Sequence, residues 1–306
     1  MAHYGPRSGL DKTASADPLS CRCPEAAPEA APSVTMAAMG ATAVPQVVAH
    51  RGASSETAEH TLRAYVTALD AGAEGLECDV RLTADGHLVC VHDRDLRRTA
   101  SHHGLVSTSN LEDLEALDFA SWKNPWADLD DEAPGPDPRM DSVLTLRKLF
   151  ETVADYDRRV EIAVETKHPT RYGGLVEKRV AQLLRDFGWD VHRNGEPSPA
   201  RVMSFSYTAL QRMERLAPSV RLVQLVDKAS YWPLLRRVIG ADWTVGPGIA
   251  LLRENPRLAE RIADSGHEVH VWTVNTEPDL RRCQALGVQA VITDRPAYML
   301  ELLGRA

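Results

Sequence analysis

The chain has 306 residues, 43% of them hydrophobic and 25% charged, and its formal net charge is −8. This composition is that of a globular protein with a sizeable core, which excludes a chain that is disordered throughout. The acidic balance argues against nucleic-acid binding, because proteins of that class carry positive charge to neutralise phosphates. No run approaches the ~18 apolar residues of a membrane helix. We therefore expect no integral membrane segment.

The five cysteines do not have the spacing of a metal site. Cys21 and Cys23 lie near the N-terminus, whereas Cys78, Cys90 and Cys283 fall in apolar segments. Buried and reduced thiols are typical of cytosolic proteins, since disulfides are rare in that compartment. We predict a cytoplasmic location.

The first 44 residues differ in composition from the rest of the chain. They are rich in Ala, Pro, Ser and Glu and show neither the period of a strand nor that of a helix. Such a segment cannot bury enough apolar surface to become ordered. We expect residues 1–44 to be a disordered N-terminal leader and residues 45–306 to form one domain.

From Gln46 onward, short apolar runs alternate with longer segments of helical periodicity. The run Gln46 to His50 predicts a buried strand, and Thr61 to Ala71 predicts a helix with one apolar face. Strands from Gly75 to Val80 and from Leu88 to His92 follow, and the Asp85-Gly86 sequence between them indicates a hairpin or a tight turn. Further strands are predicted at Val160–Glu165, Arg201–Phe205, Arg221–Val226, Trp243–Gly246, Val269–Val274 and Ala290–Thr293. This alternation implies a parallel sheet, either open or closed into a barrel.

Residues 93–141 interrupt the alternation. The segment contains Trp122 and Trp126, and prolines are frequent between Asp128 and Met140. It is too long for an ordinary connection, and long loops in α/β proteins carry function or form a cap. We predict a cap over the active-site end. Its tryptophans would offer a cation–π surface for a head group or pack into a small satellite core.

The first predicted strand ends in His50-Arg51-Gly52. In α/β barrels the C-terminal ends of the strands form the active-site face, so polar side chains there need a functional explanation. His50 is a candidate acid or base, and Arg51 is a candidate phosphate ligand. A capped strand with a surface arginine would be the alternative if this dipeptide stood alone.

Glu77 and Asp79 lie two residues apart in the next strand. Strand side chains alternate with period two, so both carboxylates point to the same face. Like charges placed so close repel each other and resist burial unless a cation lies between them. A solvent-facing edge strand would tolerate the pair, but the apolar neighbours Leu76 and Val80 favour a buried strand. We therefore predict a metal site.

Two more predicted strands end in ionisable residues. The strand that contains Val91 ends at His92. Another strand ends with Glu165 and Lys167, which lie on the same face. A lone histidine at such a position is more often structural. Histidines, carboxylates, an arginine and a lysine on separate strand ends together supply what hydrolysis of an anionic phosphodiester requires.

In this order the motifs resemble those of the glycerophosphodiester phosphodiesterases. The matching strings are His50-Arg51-Gly52, Ala58-Glu59-His60-Thr61, Glu77-Cys78-Asp79, Val91-His92-Asp93, Glu165-Thr166-Lys167 and Val271-Trp272-Thr273-Val274-Asn275. The resemblance covers residues 46–303, and a multi-part signature of this kind is specific. It implies a (β/α)8 TIM barrel with a small insertion after the second barrel strand.

The resemblance also implies a role for each matching residue. Glu59, Glu77, Asp79 and Glu165 would ligate a divalent cation, Mg2+, Ca2+ or Mn2+, which are the ions that oxygen donors favour. His50 and His92 would act as general base and acid, Arg51 and Lys167 would bind the phosphate, and Trp272 would line the substrate pocket or belong to the core. One departure from the family pattern is Ala58-Glu59-His60-Thr61 in place of Pro-Glu-Asn-Thr, which puts an imidazole beside the metal loop.

The function implied is metal-dependent hydrolysis of small-molecule glycerophosphodiesters to glycerol 3-phosphate and an alcohol. The nucleophile would be water or the substrate's own glycerol hydroxyl. One alternative is a phospholipase D directed at lysophospholipids, which would need a wider apolar groove, formed for example by Trp122, Trp126 and Leu129. Another is an inactive barrel that only binds ligands, which would require the loss of a metal ligand or a histidine. No oligomeric state is predicted.

Overall fold

The computed structural model describes residues 44–123, 135–193 and 195–305. The predicted leader up to residue 43, Trp126 and Leu129 lie outside these ranges. No described helix is both long and apolar enough to cross a bilayer.

Nine β-strands and eleven α-helices make up the described chain. The strands are β1 (Gln46–His50), β2 (Gly75–Leu82), β3 (Leu88–Cys90), β4 (Glu161–Thr166), β5 (Ala200–Ser204), β6 (Arg221–Val226), β7 (Thr244–Pro247), β8 (His270–Trp272) and β9 (Ala290–Thr293). The helices are α1 (Leu62–Asp70), α2 (Arg97–Ala100), α3 (Leu111–Glu115), α4 (Leu146–Ala154), α5 (Leu175–Phe187), α6 (Tyr207–Leu216), α7 (Trp232–Leu235), α8 (Ile249–Glu254), α9 (Pro256–Ala263), α10 (Glu277–Ala285) and α11 (Pro296–Leu302). Short 3-10 turns lie at Val106–Thr108, Ser121–Lys123 and Ala229–Tyr231.

All strands except β3 pair in parallel, in the order β7-β6-β5-β4-β2-β1-β9-β8. Two parallel bridges, Val245 to Val269 and Gly248 to Trp272, join β7 to β8 and complete the ring. Helices follow the strands along the chain, so the apolar strands are covered on the outside. The predicted (β/α)8 barrel is confirmed.

Helix α1 follows the first strand, and two local features of the sequence explain why it forms there. Thr61 is the N-cap, and its hydroxyl accepts a hydrogen bond from the backbone N–H of Ala64. A Thr cap of this kind contributes about 1 kcal/mol. Tyr65 and Leu69, four residues apart, are buried on the face that packs against the barrel.

Strand β3 lies outside the ring of parallel strands, in agreement with the hairpin or tight-turn signal at Asp85-Gly86. It pairs antiparallel with β2, with Val80 opposite Cys90 and Leu82 opposite Leu88. The turn at Gly86, whose φ is +90°, reverses the chain as its Asp-Gly sequence indicates. The hairpin returns the chain to the C-terminal end of β2. His92 therefore arrives at the same edge as His50 without belonging to a barrel strand.

The described part of residues 93–141 shares a small core with β3 and with the residues that flank the insertion. Its buried residues are Val89, Val91, Leu96, Val106, Leu114, Phe119 and Val143. Hydrogen bonds connect this segment to the barrel loops. Among them, Lys123 Nζ donates to the backbone oxygen of Ser54 (2.7 Å), and the Tyr172 hydroxyl donates to that of Ser107 (2.7 Å). The insertion thus follows β2, as predicted, and contacts loops on the C-terminal side of the strands.

The barrel interior is apolar in the middle and polar at the N-terminal ends of the strands. The apolar layer consists of Val48, Ala163, Met203, Val223, Leu225, Ala290 and Ile292. Below it, Glu161 is ion-paired with both Arg201 and Arg221, and Arg201 also lies 3.0 Å from His270 Nδ1. We call these four residues the barrel floor. The floor closes the end opposite His50 and Glu77.

Candidate active site

The strand register brings the predicted site residues together. His50 is opposite Glu77 across the β1–β2 ladder, and Asp79 is opposite Glu165 across the β2–β4 ladder. Parallel strands carry their C-terminal ends to one edge, which is why residues far apart in sequence meet here. Lys167 follows β4 directly and lies at the same edge.

Three carboxylates form the centre of the site. Glu77, Asp79 and Glu165 are buried, and one oxygen of each lies within 4.8 Å of the others. Two cations face them: Lys167 Nζ is 3.2 Å from Asp79 and 2.9 Å from Glu165, and Arg51 Nε is 3.0 Å from Asp79. The three carboxylates, when ionised, carry one more unit of charge than Arg51 and Lys167 balance. A further positive charge would complete the balance. An all-oxygen donor set of this kind suits a hard divalent cation.

The protonation behaviour of the cluster agrees with a site built for a cation. Burial and the neighbouring charge of Asp79 raise the pKa of Glu165 to about 8, and the same two causes raise the pKa of Glu77. Burial also opposes the charge of Asp79, but the hydrogen bond from His60 and the charge of Arg51 hold the pKa of Asp79 well below its usual range. A cation bound between the carboxylates favours the ionised form of each one.

His60 is hydrogen-bonded to Asp79 and orients its carboxylate. Its Nε2 lies 2.9 Å from Asp79 Oδ2, and its Nδ1 lies 2.8 Å from the Tyr65 hydroxyl. That hydroxyl in turn donates to the backbone oxygen of Glu77. Burial lowers the pKa of His60. Both ring nitrogens of His60 are thus engaged by protein groups, so this departure from the family pattern orients a carboxylate.

Glu59 lies apart from the carboxylate cluster. Its two oxygens accept hydrogen bonds from Arg98 at 2.7 and 2.8 Å, and one of them also accepts from Arg51 at 3.1 Å. Although burial opposes ionisation, the hydrogen bond from Arg98 helps to lower the pKa of Glu59 to about 2. The predicted fourth metal ligand therefore binds two guanidinium groups in this structure.

His50 is oriented by a carboxylate from the last barrel strand. Its Nδ1 lies 2.6 Å from Asp294 Oδ1, which leaves Nε2 toward the pocket, 4.0 Å from Glu77. Asp294 is itself fixed, because Asn275 Nδ2 donates to its other oxygen (2.6 Å) and the Ser54 hydroxyl donates to Oδ1. Burial opposes its charge, but the hydrogen bond from His50 helps to lower the pKa of Asp294 to about 2.

His92 repeats the same arrangement with a different carboxylate. Its Nδ1 lies 2.7 Å from Asp93 Oδ1, and Asp93 Oδ2 accepts a hydrogen bond from Arg98 Nε at 2.6 Å. Burial and the nearby positive charge of Arg51 lower the pKa of His92.

A pocket of about 260 Å³ connects these groups. His50, Arg51, Glu77, His92, Glu165 and Lys167 line its polar side. Its apolar wall includes Trp272, whose indole N–H donates to the backbone oxygen of Gly246 (2.8 Å) and whose ring meets Phe205 edge to face at 5.5 Å. Trp272 thus lines the pocket and also packs against the barrel interior. Trp122 lies under the Arg98 guanidinium, 5.5 Å from its carbon, and donates its N–H to Phe119.

Three functional candidates escaped the sequence reasoning. Asp294 directly follows β9, so the strand-end rule that singled out His50 would have found it. Asp93 is adjacent to His92, but its contact with the imidazole depends on side-chain geometry. Arg98 belongs to the short helix α2 inside the insertion, where no local pattern marks it.

Comparisons with known proteins agree with this geometry. The model of the family described as "Glycerophosphoryl diester phosphodiesterase family" matches residues 50–298. A Mycobacterium tuberculosis protein named probable glycerophosphodiester phosphodiesterase 1 is 44% identical over 252 residues, covering 82% of this chain and 90% of the relative. A glycerophosphodiester phosphodiesterase of Bacillus subtilis is 32% identical over 255 residues, covering 81% and 83%.

The same fold occurs in solved structures. A phosphodiesterase from Oleispira antarctica, in complex with the product sn-glycerol-3-phosphate, has a TM-score of 0.70 at 23% identity, with 85% of this chain and 97% of that chain covered. With the family model spanning most of the barrel, the chain belongs to the glycerophosphoryl diester phosphodiesterase family.

Proposed function

We propose that this protein hydrolyses glycerophosphodiesters to glycerol 3-phosphate and an alcohol, with a divalent cation held by Glu77, Asp79 and Glu165. The observation that carries the proposal is one pocket in which a carboxylate cluster, two cations and two aspartate-oriented histidines converge. The names of the M. tuberculosis and B. subtilis relatives support the substrate class. When bound, Mg2+, Ca2+ or Mn2+ would supply positive charge against the charge that develops on the phosphoryl oxygens.

The protein side chains bind and orient the phosphate. Arg51 and Lys167 reach the pocket from opposite sides of the carboxylate cluster and contact the non-bridging oxygens. We assign Glu59 to holding Arg51 in place and not to the cation, because both of its oxygens accept guanidinium N–H groups. Trp272 and Phe205 form the wall against which the substrate's carbon atoms pack.

The two histidines move the protons. His50, with Nδ1–H donated to the ionised Asp294, presents Nε2 as the general base that takes a proton from the nucleophile. His92, whose Nδ1 is held by Asp93 and whose ring lines the pocket, donates a proton to the departing alcohol oxygen. Each aspartate fixes the ring and its tautomer, as carboxylates do in other acid–base sites.

The insertion and the cellular role complete the proposal. The described part of the insertion, residues 93–123 and 135–141, forms a cap at the mouth of the pocket, supported by the contacts of Lys123 and Arg98 with the loop after β1. The products would connect the activity to glycerol and phospholipid metabolism. A cytoplasmic location stays a prediction.

Chelation tests the metal-dependent activity directly. Enzyme dialysed against EDTA should release no glycerol 3-phosphate from glycerophosphocholine or glycerophosphoethanolamine, and Mg2+, Ca2+ or Mn2+ should restore turnover, because the carboxylate cluster repels itself without a cation. Full activity at a verified metal content of zero would contradict the proposal. Faster hydrolysis of singly acylated substrates would favour the phospholipase D alternative. Phosphorus NMR during turnover would separate water from the glycerol hydroxyl as nucleophile, since only the latter gives a cyclic phosphate first.

A further inference from the structure

A second, smaller pocket adjoins the active site. It lies between the insertion, the end of β2 and the loop that connects β4 to α5, and its volume is about 40 Å³. That volume is room for about three water molecules, or for a group of three heavy atoms such as a carboxylate. Lys167 lines both pockets, so the smaller one lies directly beside the active site.

The charge around this pocket is positive. Arg81, Arg94, Lys167 and Arg171 line it, and none of the described lining residues is acidic. Asp79 and Glu165 already neutralise Lys167. Within the described residues, Arg94 and Arg171 form no ion pair with a carboxylate, although the protein as a whole has a net charge of −8. Cationic side chains that line a pocket without a carboxylate partner attract an anion into it.

Hydrogen bonds hold part of the pocket wall in place. Arg81 donates from Nε and Nη2 to the backbone oxygen of His92, at 2.9 and 2.7 Å, so its guanidinium is held beside a residue of the active site. The Tyr172 hydroxyl bridges the two sides through its bond to Ser107. Burial lowers the pKa of Arg81. The charges of Asp79 and Asp93 oppose this shift, and Arg94 is close enough for its positive charge to add to it.

We propose that this basic pocket binds an anionic group carried by the leaving alcohol, so that glycerophosphodiesters with an acidic alcohol are preferred to those with a neutral or cationic one. The proposal rests on the proposed function, because it places the scissile phosphate beside Lys167. A serine-type carboxylate fits the requirement: it lies three bonds from the ester oxygen and is small enough for the space. Ethanolamine has the same skeleton without that carboxylate and supplies the matched comparison.

The ratio of kcat/KM for glycerophosphoserine to that for glycerophosphoethanolamine measures the preference. We expect a ratio well above one for the wild-type protein and a fall of about tenfold or more in the Arg94→Gln/Arg171→Gln double variant, the size of a lost charge-assisted hydrogen bond. High salt should reduce the wild-type ratio, since both arginines are exposed to solvent. The control is Arg257→Gln, which removes an exposed arginine of α9 and should leave the ratio unchanged.

Direct binding separates this inference from the proposed function. O-phospho-L-serine and O-phosphoethanolamine, titrated calorimetrically into the wild type, the double variant and the control, report on the pocket without turnover. Tighter binding of phosphoserine that disappears only in the double variant supports the basic pocket even if neither diester is hydrolysed. Equal binding of the two probes, or a kcat/KM ratio that the double variant does not change, overturns it.

Discussion

Each histidine of the site places Nδ1 on an aspartate and turns Nε2 toward the pocket. The two carboxylates come from different places, Asp294 from the end of the barrel and Asp93 from the residue after His92. The groups that hold the two aspartates also differ. Asp294 is held by Asn275 and Ser54 at the barrel edge, whereas Asp93 is held by an arginine of the insertion.

Removal of either histidine should impair the chemical step. His50→Ala and His92→Ala should each lower kcat by at least ~10²-fold on glycerophosphocholine, the range for a positioned acid or base. The double variant should lose little more than the worse single variant, because residues that act as a unit are not additive. Circular dichroism should show an unchanged fold. Near wild-type kcat in either single variant, with this poor leaving group, would refute its assigned role.

The lowered pKa of Asp294 has a consequence for acid stability. Its carboxylate has a pKa of about 2 in the folded protein against a usual value of 3.8. The stability that its charge contributes is therefore complete above about pH 4 and is lost as the pH falls toward 2. Asp294→Asn should be less stable than the wild type at pH 6, and urea unfolding should show this difference shrinking between pH 4 and pH 2. A difference that stays constant with pH would mean that the charge contributes nothing.

At the scale of elements, the β2–β3 hairpin and helix α2 act together. The hairpin returns His92 to the barrel mouth, and α2 then supplies Arg98, which contacts Glu59 and Asp93 at once. One side chain thus connects the loop after β1 to the carboxylate of the second histidine. A planar guanidinium makes these directional contacts better than an ammonium group does.

Arg98 should therefore position both Arg51 and His92. Arg98→Gln should lower kcat about tenfold or more, while unfolding free energy changes by less than ~1 kcal/mol, because the ion pairs are partly exposed. Arg97→Gln is the matched control, since Arg97 is exposed on the same short helix. Steady-state kinetics and urea unfolding of both variants measure the two effects. Equal kinetics in the two variants would rule out the positioning role.

The barrel floor should contribute to stability and not to chemistry. Glu161→Gln leaves Arg201, which is only 3% exposed, without its charged partner and should lower the free energy of unfolding by about 3–5 kcal/mol. Glu196→Gln breaks the exposed pair with Arg159 and should cost less than ~1 kcal/mol. Denaturant unfolding measures both. A similar small cost for the two variants would show that the floor pair is dispensable.

For the molecule as a whole, the sequence predicted the elements that hydrophobic periodicity marks and the site residues that lie at strand ends. The bounds of β6 and β9 and the capped start of α1 follow from local patterns, and the common edge of His50, Glu77 and Glu165 follows from parallel pairing. The Asp-Gly turn indicated the β2–β3 hairpin, although the short apolar run of β3 does not by itself show the direction of pairing. The neighbours of Glu59 and the Asp294–His50 contact depend on tertiary geometry, so no local pattern reveals them.

The hydrogen bond between His50 and Asp294 joins residues 244 positions apart, from the first and the last strand of the barrel. These strands are neighbours in the ring, with Ala49 opposite Thr293. During synthesis the N-terminal strands leave the ribosome long before β9 does. His50 therefore has no contact with Asp294 until translation is nearly complete. A nascent or C-terminally truncated chain would therefore have the clustered carboxylates Glu77, Asp79 and Glu165 but no Asp294 to orient His50. If His50 is the base that we propose, activity should begin only when the ring closes.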